Sequence, residues 1–438
     1  MRLPLHTRMA LGLVAGVSLG LLAHWGAAGS PWLESLLRWV VQPAGRIFLN
    51  LLFMLVVPLI FSALALGVAG MGDLRGLGRV GVRTLVYTVV VSAIAVLLGI
   101  GFVELLRPGD GLPEDVRARL LARAAERPGG IGDVAKGATP GPDLIVNLVP
   151  RNPVKAAAEG DFLGWMVFSL AIGIGLAAVR TEASARFQEA LQGLYDVTMW
   201  LIGKVIELAP IGVAALLFTM TAEAGLDVVA QLGRYVGTVV AALLVHQVVV
   251  YSLAVRFLGG MSPIVFFRGV QEAMVTAFST ASSNATLPTA IKVADENLRL
   301  PREVSRFVLT IGSTANQNGT ALFEGVTVLF LAQVYGVPLS LPEQATVIAI
   351  CILAGIGTAG IPAGSLPVIA FMLGQVGIPV EGIGLILGVD RFLDMCRTTL
   401  NVTGDLAAAV VVSRGYRAHA NGHNQDTESQ KSESVRTW

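Results

Sequence analysis

Long apolar stretches alternate with short polar connections along almost the whole chain. Stretches of about 17–25 apolar residues are long enough to cross a bilayer. They lie near residues 9–28, 45–70, 84–106, 161–180, 197–220, 228–258, 307–334 and 384–412. The first also resembles a signal peptide, but seven further spans favour a first transmembrane helix. The pattern predicts an all-α polytopic membrane protein with eight transmembrane helices.

Two further apolar segments are interrupted by Gly, Ser, Thr, Asn and Pro where the middle of a bilayer would fall. They cover residues 279–288 and 355–365. Unpaired backbone groups in hydrocarbon cost several kcal/mol each, so such segments persist at membrane depth only inside protein or beside water. We therefore predict two re-entrant helical hairpins. Each precedes a span with a polar centre, a doubled order that is typical of inverted-repeat transporters.

The last span carries polar side chains at helical spacing. They fall within an arc of about 80°, with Thr398 at its edge, and they are Asp390, Asp394, Arg397, Asn401 and Asp405. An ionised side chain near the bilayer centre costs about 2.5–3.5 kcal/mol, so this polar face indicates a functional site. Three carboxylates and one guanidinium give it a formal charge of −2. Such a face requires cations from elsewhere, as in a cation-coupled transporter.

Arg397 has two interpretations that are compatible with each other. Its guanidinium can grip a substrate carboxylate through two parallel hydrogen bonds, or it can pair internally with Asp390 or Asp394. Asp390 suits a supporting position behind Arg397, whereas Asp394 can bind the ammonium group of an amino acid. Asp405 has no nearby cation in the sequence and is a candidate ligand for Na⁺.

The seventh span has a polar centre at residues 313–320, followed by Glu324. Consecutive Asn, Gln and Gly residues are poor helix formers, so we expect local unwinding that frees carbonyl oxygens for a sodium ion. The alternative is a helix kink satisfied by its neighbours. Glu324 lies in an apolar stretch and is either a proton carrier or a neutral acid in a helix contact.

Composition and charge agree with a membrane transporter. Of the 438 residues, 54% are hydrophobic and 14% are charged, against roughly 25% charged residues in soluble domains. The net charge of +1 gives no reason to expect nucleic acid as a partner. Basic residues cluster in alternate connections, near residues 2–8, 75–83, 180–186, 256–268 and 414–417. The positive-inside rule then places both termini in the cytoplasm, with the chain in the cytoplasmic (inner) membrane.

Other features exclude or weaken competing functions. No histidine falls in a polar cluster, so the sequence does not support an enzyme with a Ser-His dyad or a His-rich metal site. Re-entrant loops also build channel filters, but an Arg with three Asp residues on one helix favours a binding site for a zwitterion or dicarboxylate. We expect residues 107–160 to form an extracytoplasmic loop and residues 414–438 a disordered tail.

Four motifs resemble those of the glutamate transporter family of dicarboxylate/amino acid:cation symporters, in its bacterial type. They are Ser282-Ser-Asn-Ala-Thr-Leu-Pro288, Asn316-Gln-Asn-Gly-Thr320, Gly357-Thr-Ala-Gly-Ile-Pro362 and Asp394-Met-Cys-Arg-Thr-Thr-Leu-Asn-Val-Thr-Gly-Asp405. The resemblance covers about residues 8–413 and implies an elevator-type homotrimer in membrane lipid. It implies a scaffold domain from residues 1–80 and 161–225, and a transport domain from residues 81–106 and 226–413.

The resemblance also implies roles for particular residues, with hairpin two as the outer gate. Substrate contacts fall on Ser282, Ser283, Thr320, Asp394, Arg397, Thr398 and Asn401. A first sodium site falls on Gly312, Asn316, Asn401 and Asp405, and a second on Thr314, Gly355, Ile356 and Thr358. Arg397 marks an acidic side chain and Asp394 an amino group, so the implied substrate is L-aspartate or L-glutamate. A C4-dicarboxylate symporter is the alternative.

The departures from the family pattern concern the coupling ions. A third sodium site would use the positions of Thr88, Val91, Ser92 and Asn318, of which Ser92 alone keeps the family's residue. An arginine that members carry in the first hairpin or in the last span is replaced by Ala281 and Met395. Glu324 matches the carboxylate of proton-coupled members. We therefore expect fewer sodium ions, with a proton as a further coupling ion.

Overall fold

The computed structural model describes residues 5–27, 29–70, 78–111, 114, 149–159, 162–179, 181–357 and 365–435. Regular structure in these residues is helical throughout, which confirms the predicted all-α class. Residues 115–148 of the predicted extracytoplasmic loop lie outside the described ranges. So do Arg75 and Arg180 of the basic connections, the predicted sodium ligand Thr358, and the tip of the second hairpin.

The first half of the chain contains nine helices in its described ranges. They are α1 (Leu5–Ala27), α2 (Pro31–Leu36), α3 (Gln42–Phe53), α4 (Val56–Gly70), α5 (Gly78–Leu106), α6 (Pro153–Glu159), α7 (Phe162–Ala178), α8 (Glu182–Glu207) and α9 (Ala209–Ala224). A π-helical segment, Leu37–Val41, joins α2 to α3.

The second half contains eight helices of 11 residues or more in its described ranges. They are α10 (Leu226–Val245), α11 (Pro263–Thr280), α12 (Ser283–Glu296), α13 (Arg302–Ala315), α14 (Asn318–Tyr335), α15 (Leu341–Gly357), α16 (Ser365–Gln375) and α17 (Ile383–Val435). Two π-helical segments, His246–Val250 and Ala254–Leu258, continue α10 to Leu258.

Three described helices are long and apolar enough to cross a membrane. They include Thr7–Ala27 of α1, Val80–Leu106 of α5 and Val229–Leu258 of α10 with its continuation. A fourth span results if α8 and α9, which meet at 53°, are counted together. Pro210 explains that bend, because proline has no N–H to continue the helical hydrogen bonds. The eight-span arrangement itself stays a prediction.

Glycines let α1 lie directly against the backbone of α9. A Cβ added at Gly12 would lie 2.4 Å from the Pro210 carbonyl oxygen, and one at Gly16 would lie 2.6 Å from that of Ala214. These glycines are four residues apart, a spacing that lets membrane helices approach closely. Gly388 of α17 makes a similar approach to Leu217 of α9. The last helix is thereby placed beside the α1 and α9 pair.

Helices α11 and α12 lie where we predicted the first hairpin, and a tight turn joins them. Ala281 turns the chain with φ of 49°, in the left-handed region. The two arms then run back along each other, since Lys292 Nζ lies 2.9 Å from Glu272 Oε1. Helices α15 and α16 are the arms on either side of the second predicted hairpin tip. The re-entrant course of both segments stays a prediction, and most of the second interruption lies outside the described residues.

The last helix covers most of the predicted tail. Helix α17 continues past Ser413 to Val435, and the disorder expected for residues 414–438 stays a prediction. The polar composition of this segment excludes a packed core, but a helix satisfies its own backbone hydrogen bonds without one. The composition therefore did not decide whether the segment is helical.

Helix α14 lies at the centre of the protein and positions the site. It packs against α5, α15, α16 and α17, and it is buried on all sides except at Gln333. A helix in the middle of a large core is expected to be apolar around its whole surface. The polar residues at its first turn and at Glu324 are exceptions, and each requires a partner or a function.

Candidate functional site

The predicted unwinding between α13 and α14 is present in the structure. Helix α13 ends at Ala315, and α14 begins at Asn318. Between them Asn316 has φ −116° and ψ 66°, and Gln317 has φ −98° and ψ 56°. The Gln317 backbone N–H donates instead to the Gly355 carbonyl of α15, over 3.2 Å. Gly355, a predicted sodium ligand, lies on the first arm of the second predicted hairpin. This arm therefore directly contacts the break.

Asn401 of α17 holds the start of α14 in place. Its Oδ1 accepts a 2.7 Å hydrogen bond from the backbone N–H of Gly319, and its Nδ2 donates to Gln317 Oε1 and to Thr320 Oγ1. Gly319 permits this contact, because a Cβ there would lie 2.6 Å from the Arg397 carbonyl oxygen. The predicted substrate residues Thr320 and Asn401 are therefore in direct contact.

An oxygen-rich pocket lies beside Asp405. Asn316 Nδ2 donates to Asp405 Oδ1 over 2.8 Å, and a Cβ at Gly312 would lie 2.5 Å from the same oxygen. Within the described part of the chain, the buried Asn316 Oδ1 has no hydrogen-bond donor. A carboxylate beside an unpaired amide oxygen offers the oxygen ligands that hard cations prefer. The predicted first sodium ligands on α13 and α17 are thus brought together.

Arg397 is 1% exposed and paired on two sides. Its Nε donates to Asp394 Oδ1 over 3.0 Å, and its Nη2 lies 3.1 Å from Asp390 Oδ1. The Phe323 ring lies 4.1 Å from the guanidinium carbon, where a cation–π contact is favourable. Among the described residues, none accepts a hydrogen bond from the buried Nη1. The internal pair predicted for Arg397 therefore exists and leaves one nitrogen free.

Arg391 changes the charge that we expected on the polar face. Its Nη1 lies 3.5 Å from Asp394 Oδ2. With Arg391 included, three carboxylates meet two guanidiniums, and the formal charge is −1 instead of −2. The expectation was wrong because Arg391 projects roughly 100° from Asp390 along the helix, just beyond the arc considered. Its long side chain nevertheless reaches Asp394.

Asn318 belongs to a separate network that is internally satisfied. Ser92 Oγ of α5 donates to Asn318 Oδ1 over 2.7 Å, and Asn318 Nδ2 donates to the Tyr251 hydroxyl over 3.1 Å. Tyr251 in turn donates to the Leu400 carbonyl over 3.1 Å. Gly404 leaves the space for this contact, since a Cβ there would lie 2.4 Å from the Tyr251 hydroxyl oxygen. Each polar group of the Asn318 side chain thus has a protein partner.

The tip of the first hairpin presents two serines with different surroundings. Ser282 caps α12, because its hydroxyl accepts from the Ala285 backbone N–H over 3.2 Å. The Ser283 hydroxyl is buried, and no residue in the described ranges forms a hydrogen bond with it. Helix α12 packs against α17, the helix that carries Arg397. This arm therefore packs against the helix that carries the polar face.

Glu324 has no exposed surface. Neither carboxylate oxygen has a hydrogen-bond donor in the part of the chain that the structure describes. An ionised carboxylate in such surroundings is strongly disfavoured. The geometry is compatible with either predicted role, that of a proton carrier or of a neutral acid in the core.

The remaining predicted residues have ordinary surroundings. Thr398 is buried on α17, and Thr314 donates its hydroxyl to the Ile311 carbonyl over 3.0 Å. Ile356 lies in α15, where its backbone is helical. Thr88 and Val91 are buried on α5. Of the three α5 positions of the predicted third sodium site, Ser92 forms a hydrogen bond with Asn318 in the described ranges.

Sequence reasoning missed Tyr251, Phe323 and Arg391. Tyr251 and Phe323 lie in apolar segments with no local signal, and their contacts with Asn318 and Arg397 exist only across helices. Arg391 did carry a signal, since it is a charged residue inside an apolar span, directly after Asp390. It could have been found by extending the arc to long side chains at its edge.

Comparisons with known proteins cover nearly the whole chain. A family model described as the sodium:dicarboxylate symporter family matches residues 5–415. The chain is 31% identical over 411 residues to the proton/sodium-glutamate symport protein of Bacillus subtilis, covering 94% of this chain and 92% of that protein. It is 32% identical over 408 residues to the proton/glutamate-aspartate symporter of Escherichia coli, covering 93% and 92%. It is 31% identical over 378 residues to a C4-dicarboxylate transport protein of Anaeromyxobacter, covering 85% and 83%.

Proposed function

The chain belongs to the sodium:dicarboxylate symporter family, and on this premise we propose that it is a secondary active symporter for L-aspartate or L-glutamate. Its relatives are named as transporters and not as enzymes. Two of them are named for glutamate, or for glutamate and aspartate, with proton or sodium coupling. The proposed uptake is therefore driven by Na⁺, H⁺ or both.

The unpaired Nη1 of Arg397 is the observation that carries this proposal. The Nε of the guanidinium donates to Asp394, and its Nη2 lies within ion-pair distance of Asp390 and Asp394, which orients the guanidinium. A buried N–H group without an acceptor costs about 1–3 kcal/mol. A substrate side-chain carboxylate would remove that cost and add a charge-assisted hydrogen bond. Asp390 acts here as the support that orients Arg397.

The other substrate groups have matching partners nearby. Asp394 would receive the ammonium group through Oδ2, since Oδ1 is engaged by Arg397. Thr398, Asn401 and Thr320 would supply neutral hydrogen bonds. The two serines at the tip of the first hairpin, Ser282 and Ser283, would bind the main-chain carboxylate, and the buried Ser283 hydroxyl has capacity for it.

Na⁺ would be carried as a co-substrate beside Asp405. The backbone carbonyls of Gly312, Asn316 and Asn401 join the Asp405 carboxylate in this site. A second sodium site would use Thr314, Gly355, Ile356 and Thr358, where the second hairpin meets the break between α13 and α14. The contact of Gln317 with the Gly355 carbonyl supports a coupling between hairpin position and cation binding.

A third sodium site is absent in this proposal. Asn318 supplies a neutral amide, and both of its polar atoms are already bonded to Ser92 and Tyr251. Val91 adds no oxygen. Glu324 is the proposed proton carrier. Its carboxyl is buried and unpaired, which favours the protonated, neutral form, and the proton would be released when the carboxyl reaches water.

The wider architecture follows from family membership as part of the same proposal. We place eight spans and two re-entrant hairpins in the cytoplasmic membrane, with both termini cytoplasmic. Three copies would associate through the scaffold of residues 1–80 and 161–225. The transport domain of residues 81–106 and 226–413 would move against this scaffold as an elevator, with the second hairpin as the outer gate.

Concentrative uptake tests the proposal. The purified chain is reconstituted in liposomes, and labelled L-aspartate is followed under imposed Na⁺ or H⁺ gradients. We expect accumulation above equilibrium in the wild type. We expect Arg397→Lys to lower aspartate uptake by at least about 100-fold. Lys lacks the planar guanidinium that would pair with Asp390, Asp394 and the substrate at the same time. Arg186→Lys, on the exposed face of α8, is the matched control.

Three results would contradict the proposed function. Full aspartate uptake by Arg397→Lys would exclude Arg397 as the substrate anchor. Flux that never exceeds equilibrium under any gradient would favour a channel over a symporter. Accumulation of succinate without accumulation of aspartate would instead favour the C4-dicarboxylate symporter, the function for which the Anaeromyxobacter relative is named.

A further inference from the structure

Arg391 is a second guanidinium at the candidate site. Its Nη1 lies 3.5 Å from Asp394 Oδ2, and its side chain is 23% exposed. Its Nε is buried and, in the described ranges, has no hydrogen-bond acceptor. A charge-assisted N–H to carboxylate bond is usually about 2.7–2.9 Å long. The Arg391 pair is therefore loose, and it is longer than the 3.0–3.1 Å pairs of Arg397.

The two oxygens of Asp394 are divided between the two arginines. Oδ1 accepts from Arg397 Nε at 3.0 Å and lies 3.0 Å from Arg397 Nη2. Oδ2 faces Arg391. A ligand ammonium that binds Asp394 must therefore take the oxygen that Arg391 occupies. Asp390, Asp394, Arg391 and Arg397 are together neutral, so the pairing is balanced before any ligand binds.

We propose that Arg391 is a resident counter-cation of Asp394, which the ammonium of an amino acid replaces and a ligand without an amino group leaves in place. The inference rests on the proposed function, in which Asp394 receives the amino group. Aspartate brings its own cation and frees Arg391. A C4-dicarboxylate such as succinate brings none, so it is tolerated only while Arg391 neutralises Asp394. Arg391 thereby sets the discrimination between amino-acid and dicarboxylate ligands.

Ligand selectivity of the purified full-length chain tests this inference. Dissociation constants for L-aspartate and succinate are measured by calorimetry in a sodium buffer. In Arg391→Gln, the ratio of succinate to aspartate dissociation constants should rise by about five-fold, the upper range for a partly exposed ion pair. Aspartate should bind somewhat more tightly, because a competing cation is gone. Arg391→Lys keeps the charge and should leave the ratio within about three-fold.

Two further variants separate this role from a structural one. Arg186→Gln removes an exposed arginine with a side chain that is 74% exposed and should not change the ratio. In an Asp394→Asn background, Arg391→Gln should lose its effect on the ratio, because the carboxylate that it neutralises is gone. A purely structural role would weaken both ligands equally in every background.

Three results would overturn the inference. One is a ratio that changes by less than about three-fold in Arg391→Gln. Another is normal aspartate binding by the wild type without any succinate binding, which leaves the proposed function intact. A third is the absence of aspartate binding in the wild type, which overturns the proposed function together with the inference.

Discussion

Replacing Asn318 by an aspartate tests the proposed loss of a third cation site most directly. In the wild type, the Asn318 amide accepts from Ser92 over 2.7 Å and donates to the Tyr251 hydroxyl over 3.1 Å. The Asn318→Asp variant would keep the first bond and lose the second. The introduced carboxylate would face the Tyr251 oxygen, which can turn its proton toward that carboxylate only by abandoning the Leu400 carbonyl.

The size of the effect follows from burial. Asn318 has no exposed surface, and an uncompensated charge at a buried position costs roughly 3–5 kcal/mol. A cation bound to the introduced carboxylate would offset that cost. Since a ligand that binds only the folded state stabilises it by about 2.7 kcal/mol at 100 times its Kd, sodium should recover most of the loss. The variant should therefore be much less stable than wild type in low sodium and close to it in high sodium.

Thermal unfolding of the purified protein measures this difference. Tm is followed by tryptophan fluorescence from about 1 mM to about 300 mM Na⁺, with choline replacing sodium at constant ionic strength. Asn297→Asp makes the same chemical change at an exposed position of the first hairpin and should show a Tm difference from wild type that does not depend on sodium. Adding Val91→Thr to Asn318→Asp should lower the sodium concentration at which the variant reaches the wild-type Tm. A Tm difference for Asn318→Asp that is equal at every sodium concentration would refute the reasoning.

Three further substitutions have defined outcomes. Glu324→Gln should fold with nearly unchanged Tm, since it replaces one neutral buried group by another. Aspartate uptake into proteoliposomes should lose its dependence on external pH. A retained pH profile would exclude Glu324 as the proton carrier. Gly319→Ala places a Cβ 2.6 Å from the Arg397 carbonyl oxygen, so the free energy of unfolding should fall by about 1–3 kcal/mol. The affinity for aspartate, measured by calorimetry, should fall as well. A normal affinity would show that this contact is not required. Tyr251→Phe leaves the Asn318 amide without its acceptor and should cost about 1–3 kcal/mol in chemical denaturation, whereas an unchanged midpoint would mean that another group replaces the hydroxyl.

The parts of the site that sequence could predict are those determined within one helix or one motif. Asp394, Arg397 and Asn401 follow helical spacing, so the face that they share is fixed by the geometry of α17 alone. The break at residues 316–317 follows from a local excess of poor helix formers. In each case the physical cause lies within a few residues of its effect.

Contacts between helices could not be obtained in the same way. Phe323 lies under the Arg397 guanidinium, and Tyr251 lies between Asn318 and Leu400, although these residues are far apart in sequence. Aromatic residues in an apolar span are ordinary core residues in most cases. Their roles become visible only when packing shows which polar group each one meets.

Buried polar atoms in this site differ in whether a protein group pairs with them, and the difference distinguishes Asn318 from the positions proposed for ligands. Asn318 has a protein partner for each of its polar atoms, so a cation there would have to break existing bonds. Among the described residues, Arg397 Nη1, Asn316 Oδ1 and both Glu324 oxygens have none. Unpaired buried groups carry a free-energy cost that a ligand can remove. These atoms coincide with the positions proposed for the substrate carboxylate, Na⁺ and H⁺, whereas Asp390 Oδ1 and Arg391 Nε also lack a hydrogen bond in the described ranges and belong to the charged groups that surround Arg397 and Asp394. The satisfied amide occupies the position where we propose that one cation has been lost.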